Sequence, residues 1–430
     1  MSSDKTTLDK GIPADEVPPP AVAAIDPRLL VREEGFKGYI TEFKRKLKGG
    51  ELGSLPVIVA LIVIWVIFQS QSSKFLTSGN VLHITYFLSG TGMLAIGLVF
   101  VLLLGEIDLS VASVSGLASA LFAVFTATHG VNVWLALLLT VAIGAGIGVF
   151  QGFFFAKIGV PAFVVTLAGF LGWNGLMLWV LGDTGSLQIA DKGPIHLLGQ
   201  NSYFMNQDIA GAYVLATVGV AALLLGSLVE QGRRRKAGVP FRTTGEILLR
   251  TVLLAVVAYG MAIVLNNAGG VPNALVFFLV ALIICDFVLR RTTFGRKVFA
   301  LGGSVEASRR AGINVGVVRM AVFGISGGFA AIGGLFLAGQ TQAATLQGGG
   351  GNLLMLAIAA AVIGGTSLFG GRGNVWSALL GMLVIQSIQT GLDLLNMNQS
   401  IQYMITGAVL LAAVIVDSVS RRTQKSSGRA

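Results

Sequence analysis

Apolar stretches about as long as a bilayer is thick recur along this chain from Gly53 to Asp417. A helix needs about 20 apolar residues to cross roughly 30 Å of hydrocarbon. In lipid each backbone N–H and C=O must be satisfied within the segment, so every such stretch reads as a helix. Composition agrees, with 54% of the 430 residues hydrophobic and only 12% charged, whereas soluble domains carry about 25% charge. The mean hydropathy is +0.80. The 58 glycines suit close helix packing in lipid better than a soluble fold. The fold class is all-α: a polytopic membrane helical bundle of about 12 transmembrane helices, some of them interrupted.

Twelve apolar segments fall near 53–69, 84–104, 109–128, 131–155, 161–181, 210–229, 247–266, 273–289, 318–339, 353–369, 375–395 and 400–417. The connections between them alternate in charge. With the N-terminus inside, 28 of the 30 Lys and Arg residues lie on one side, and only Lys74 and Lys192 lie on the other. Cytoplasmic loops carry such an excess of base, so the chain is expected in a cytoplasmic membrane with both termini inside. The net charge of +10 then sets orientation and meets anionic lipid; no interleaved aromatics or recognised module points to nucleic acid. The expected organisation is a cytoplasmic tail over 1–52, a transmembrane domain over 53–418 and a short cytoplasmic tail over 419–430. Within the first tail, Asp26-Pro27 opens a stretch in which Phe36, Tyr39, Ile40, Phe43 and Leu47 recur at helical spacing beside Lys44, Arg45, Lys46 and Lys48. That stretch reads as a helix on the membrane surface or as a solvated linker. Residues 1–52 are polar, so no signal peptide is expected there, and the single cysteine, Cys285, rules out a disulfide within this sequence.

Four stretches carry candidate chemistry. In Gly105-Glu106-Ile107-Asp108-Leu109-Ser110, two acids and no base stand between apolar segments. Asp108 fits a helix cap at a break, and an acid at that depth can also line a path. In the second, Pro161 starts a helix. Phe163 and Thr166 follow, with Phe170, Trp173 and Asn174 further on at i, i+3, i+4 on one face, where aromatics beside an amide could form a sugar-lining wall. Third, Ser304 to Arg310 reads as a short capped helix with Glu306 in its first turn and Arg309 and Arg310 in its last. Gly312 ends it, and such a helix between spans suits docking of a cytoplasmic partner. The fourth, Gly364 to Asn374, is Gly-rich but lacks the Gly-x-x-x-x-Gly-Lys-Ser/Thr pattern, so it reads as tight turning rather than a phosphate cradle. Gly144, Gly148 and Gly152, and Gly324 with Gly328, are spaced for close helix crossings. His83, His129 and His196 lack metal-ligand spacing, and no nucleophile–base pairing is evident, so neither catalytic residues nor a metal site is expected.

In order, GEIDLSVAS, VPAFVVTLAGF, FGRKVFALGGSVEASRRAGINV, VIGGTSLFGGRGNVWSALLG and YMITGAVLLAAVIVDS span roughly residues 80–420. Together they resemble the permease subunits of bacterial monosaccharide ABC importers, the ribose/xylose/galactose branch. The extra pair of spans over 230–272 is more like the xylose-type permeases. The sequence departs from that family at Glu106, Ala112 and Ala168, where Gly is usual. The resemblance implies a type II-like ABC importer permease: a homodimeric translocation pore for a pentose, D-xylose above others, working by alternating access. A separate cytoplasmic ATPase and an extracytoplasmic sugar-binding protein would be its partners, and this chain would be neither an enzyme nor a holder of cofactors. The resemblance also implies that the loop matching E-A-x-x-x-x-G docks the ATPase, here Glu306, Ala307 and Gly312 flanked by Gly302, Arg309 and Arg310. A reading from a different class, a self-sufficient secondary transporter or channel, would need intramembrane ionisable residues, and Glu106 and Asp108 are the candidates at depth.

Overall fold

A computed structural model describes residues 55–189, 193–199, 203–204, 210–239 and 241–426. The surface helix expected around Asp26–Lys48 lies outside the described residues. Contacts divide the chain into one unit of Gly53–Val419 and another of Met1–Leu52 with Ser420–Ala430. Of the second unit, the described part is Ser420–Ser426, the end of the last helix.

Helices dominate the described residues: α1 (Leu55–Gln71), α2 (Ser78–Leu103), α3 (Val111–Ala123), α4 (Val133–Phe153), α5 (Ala162–Leu181), α6 (Gly211–Lys236) and α7 (Thr244–Asn266) come first. They are followed by α8 (Asn273–Arg291), α9 (Thr293–Gly303), α10 (Val305–Arg310), α11 (Val315–Thr341), α12 (Gly351–Ile363), α13 (Trp376–Leu394) and α14 (Gln399–Ser426). Every apolar segment read from the sequence is represented by one helix. Among the described residues nine helices are long and apolar enough to cross a membrane, while the apolar helices Leu55–Gln71, Asn352–Ile363 and Gln399–Ile415 are shorter. The tenth segment stops at Ile363 rather than continuing to 369, because Gly364, Gly365 and the turn that follows leave the helix. At 13 residues, α12 is about 20 Å long, short of a full crossing. α3 begins two residues after the expected start, leaving Leu104–Ser110 as an irregular passage between two helices.

Burial separates the centre from the periphery. The most apolar stretch of α2 is 94% buried, that of α6 only 11%. α11 packs on α2, α3 and α4, while α6 and α7 pack chiefly on each other. Their outward rows, such as Val218, Leu225, Val252 and Val256, are exposed. Apolar faces this extensive are tolerated where the surroundings are lipid. Two small antiparallel pairings join distant connections: Ser186–Gln188 with Ala343–Thr345, and Tyr203–Phe204 with Val271–Pro272.

α4 and α11 cross where both are small. A β-carbon on Gly148 would stand 2.7 Å from the Phe323 carbonyl carbon and 3.0 Å from Gly324 Cα, and one on Gly144 would stand 2.7 Å from Gly327 O. Gly152 faces Met320 Cα at 2.9 Å. The spacing therefore identified the crossing, with one change of residue. Gly327 faces α4 at closest approach, while Gly328 meets Ala145 at an ordinary 3.7 Å.

Candidate functional site

Asp108 is buried in the irregular passage after α2 and gathers donors from two parts of the chain. One carboxylate oxygen, Oδ1, accepts from Ser110 N at 3.0 Å and Ser110 Oγ at 2.6 Å. The other accepts from Ser326 Oγ of α11 at 2.8 Å. The expected role of Asp108 as cap of α3 is corrected here: Ser110 occupies the N-cap position without a side-chain cap bond. Asp108 instead folds back on the Ser110 amide two residues on, the local bond that Asp favours in turns. Its second oxygen is thereby free to hold α11.

Ser110 also lies 2.9 Å from Gln151 Oε1 of α4. A hydroxyl has one proton and cannot donate to both Asp108 and Gln151. Next to it, Gln151 Nε2 and Trp173 Nε1 are both buried without a partner among the described residues. Both face Gly169, whose added β-carbon would stand 3.1 Å from Trp173 Nε1. Turning the Gln151 amide end for end removes the conflict: Nε2 then donates to Ser110 Oγ, and Oε1 is presented toward the indole N–H. Either way, α3, α4, α5 and α11 meet at one buried polar cluster.

The sequence-predicted path residues divide. Thr166 is buried and donates to Ala162 O at 3.0 Å, with Ile107 O of the passage at 3.4 Å. Phe170, Trp173 and Asn174 are half-buried on one side of α5, and Trp173 meets Phe150 edge-on at 6.3 Å. Phe163 is 57% exposed and stands outside the buried cluster. Phe163 is the second residue of α5, two turns toward the N-terminal end from Phe170, so it is set apart along the helix axis.

The passage contained no base in sequence, yet Glu106 finds one. Arg319 Nη2 of α11 approaches Glu106 Oε1 at 3.7 Å, and its guanidinium carbon sits 4.2 Å from the Phe155 ring centroid. Arg319 and Ser326 are seven residues apart on one helix, about 10 Å along its axis. The passage therefore descends from the level of Arg319 at Glu106 to the level of Ser326 at Asp108. Gln151, Ser326 and Arg319 were not among the sequence-predicted site residues. Their signal was present: each is polar within or at the edge of an apolar run, where polar groups seek partners.

The capped helix appears as α10. Ser304 Oγ accepts from Ala307 N at 3.2 Å, Glu306 pairs with Arg310 at 3.2 Å one turn on, and Gly312 adopts φ +78° past the end. Glu306, Ala307, Arg309, Arg310 and Gly312 are exposed, presenting a charged surface. Gly302 differs from them. It is the penultimate residue of α9 and faces inward, and a β-carbon there would stand 2.6 Å from Gly371 N and 3.0 Å from Leu103 C. A groove lined by Gly226, Val229, Glu230, Arg233, Phe287 and Arg291 involves none of the predicted path residues.

A family model described as branched-chain amino acid transport system / permease component matches residues 80–414. The xylose transport system permease protein XylH of Haemophilus influenzae is 32% identical over 378 residues, 88% of this chain and 99% of that protein. The XylH protein of Escherichia coli is 33% identical, covering 87% of this chain and 94% of its own length. The ribose import permease protein RbsC of Bacillus subtilis is 29% identical over 88% of this chain and 96% of its own length. No solved structure matches the chain significantly. With a multi-pass helical body, a buried polar passage and a family match over most of its length, this chain belongs to the branched-chain amino acid transport system / permease component family, in its monosaccharide branch.

Proposed function

We propose that the chain is the translocation-pore subunit of an ATP-driven pentose importer, with D-xylose as cargo, acting as a homodimer by alternating access. The similarity to xylose system permeases along nearly their whole length carries this reading. The side bearing Arg233–Lys236, Arg290, Arg291 and α10 faces the cytoplasm, as the distribution of base favours. There α10 offers its exposed Glu306, Ala307, Arg309, Arg310 and Gly312 to a separate ATPase. A sugar-binding protein delivers cargo on the opposite side. The path passes Asp108, Ser110, Thr166, Phe170, Trp173 and Asn174, and this chain needs no cofactor or metal of its own.

A self-sufficient secondary carrier has less support. Glu106 is engaged by Arg319 and Asp108 by three donors, which leaves little for an ion relay. Labelled D-xylose and D-ribose uptake into proteoliposomes, with and without the ATPase and ATP, tests the reading. Uptake should require ATP and favour xylose, and uptake that persists without the ATPase but collapses with the proton gradient would overturn it. In the same assay Glu306→Arg should cut ATP-driven uptake at least tenfold. Because this pair is exposed, it should shift the unfolding free energy by less than about 0.5 kcal/mol.

A further inference from the structure

The last carbonyls of a helix have no partner within it. At the end of α2, the Leu103 carbonyl is satisfied from far along the chain: Gly371 N donates to it at 2.9 Å. Gly302 of α9 lies flat against the same carbonyl, so three segments meet at one backbone oxygen. Gly370 closes the group. It takes φ +80°, and a β-carbon there would fall 2.8 Å from both Gly105 N and Gly302 O. The junction joins the segment that leads into α10, the end of the most buried helix and the start of the passage that holds Asp108.

We propose that Gly302 is a positioning residue that keys the cytoplasmic α9–α10 segment to the passage at Gly105–Ser110, so that displacement of α10 is passed through Leu103 O to Asp108 and its partners. This rests on the reading that α10 receives the ATPase. Backbone-to-backbone contact transmits displacement with little slack, because no side chain can rotate to absorb it. The chain contains its own control. Gly303 is the next residue of the same helix, and a β-carbon there meets nothing within 4 Å.

The test uses the assembled complex of permease, ATPase and binding protein in proteoliposomes, reading xylose moved per ATP hydrolysed. Gly302→Ala should assemble and hydrolyse ATP, yet its xylose-to-ATP ratio should fall at least tenfold; Gly303→Ala should stay within twofold of the parent. Equal ratios in the two variants would overturn the proposal. Hydrogen exchange on the unmodified complex keeps the question open to refutation if Gly302→Ala fails to fold. On adding the ATPase with a non-hydrolysable ATP analogue, protection should change at 305–312 and together with it at 103–110 and 365–373. A change at 305–312 alone would overturn this proposal and leave the docking reading standing. No change at 305–312 would overturn both.

Discussion

α10 and the Asp108 cluster both rest on bonds made by polar side chains, yet these bonds run over different distances. In α10 every bond is local: Ser304 to Ala307, Glu306 to Arg310, Gly312 to Arg309. At Asp108 the bonds to Ser326 and, through Ser110, to Gln151 cross 218 and 41 residues. The first arrangement is charged and exposed, and solvent can replace a bond lost there. The second is shut among helices, where a lost partner leaves an orphan that costs about 1–3 kcal/mol. The contrast separates an exposed surface held by local bonds from a cluster that holds helices together.

The largest effect should follow from breaking the buried side of that contrast. Asp108→Ala removes the acceptor for Ser110 and Ser326 and leaves their hydroxyls without it. The unfolding free energy in detergent should drop by roughly 3 kcal/mol, and ATP-driven uptake should fall more than tenfold. Asp108→Asn sharpens the point. Its carbonyl can accept from Ser110 while its amide donates to Ser326 Oγ, since a hydroxyl serves either way. Most stability should survive, within about 1 kcal/mol of the parent. Equal losses in the two variants, read from thermal unfolding, would show that charge rather than bonding holds the cluster.

A second pair tests whether packing around the cluster is as tight as its polar bonds are specific. Gly148→Ala places a methyl group against the Phe323 carbonyl at the α4–α11 crossing. Overpacking of this kind should destabilise by about 1–3 kcal/mol and separate Ser326 from Asp108. Gly146 is two residues away on the same helix, and a β-carbon there meets nothing within 4 Å. Gly146→Ala should be neutral or stabilising by up to about 1 kcal/mol through helix propensity. The unfolding midpoint should therefore fall in Gly148→Ala and hold or rise in Gly146→Ala, and equal falls in both would contradict the close crossing.

Legibility in the sequence follows the same division between local and distant. The apolar helices and the cap at Ser304 obey local rules of length, apolarity and capping, so they could be read from the chain, whereas α9 (Thr293–Gly303), set in a basic loop, was not. The spacing of Gly144, Gly148 and Gly152 announced a close crossing, but identifying Gly327 in place of Gly328 needed the rotation of α11 about its axis. Asp108 drew notice as an acid between apolar runs, whereas its partner Ser326 lies on a helix whose neighbours are set by global packing. Phe163 was grouped with the path residues of α5, yet its place at the first turn of the helix leaves it exposed. Gly302 is the instructive case: it stood with the exposed docking residues by sequence proximity, and the fold turned it inward against Leu103.

The smallest expected effect lies at α10. Ser304→Ala deletes the side-chain acceptor for the Ala307 amide. N-cap losses of this type cost about 0.5–2 kcal/mol where the helix unfolds as part of the whole. Six residues at the surface of a large helical body can fray without it, so the unfolding midpoint should barely move. The change should instead appear as faster exchange of the amides from Glu306 to Arg309, by roughly five- to thirtyfold for about 1–2 kcal/mol of local stability. ATPase affinity should weaken by a similar factor if docking selects the ordered helix, because fewer molecules then present the competent form. Faster exchange with unchanged affinity would mean that the partner orders α10 on arrival, and the surface side of the comparison would then be set by the partner rather than by the cap.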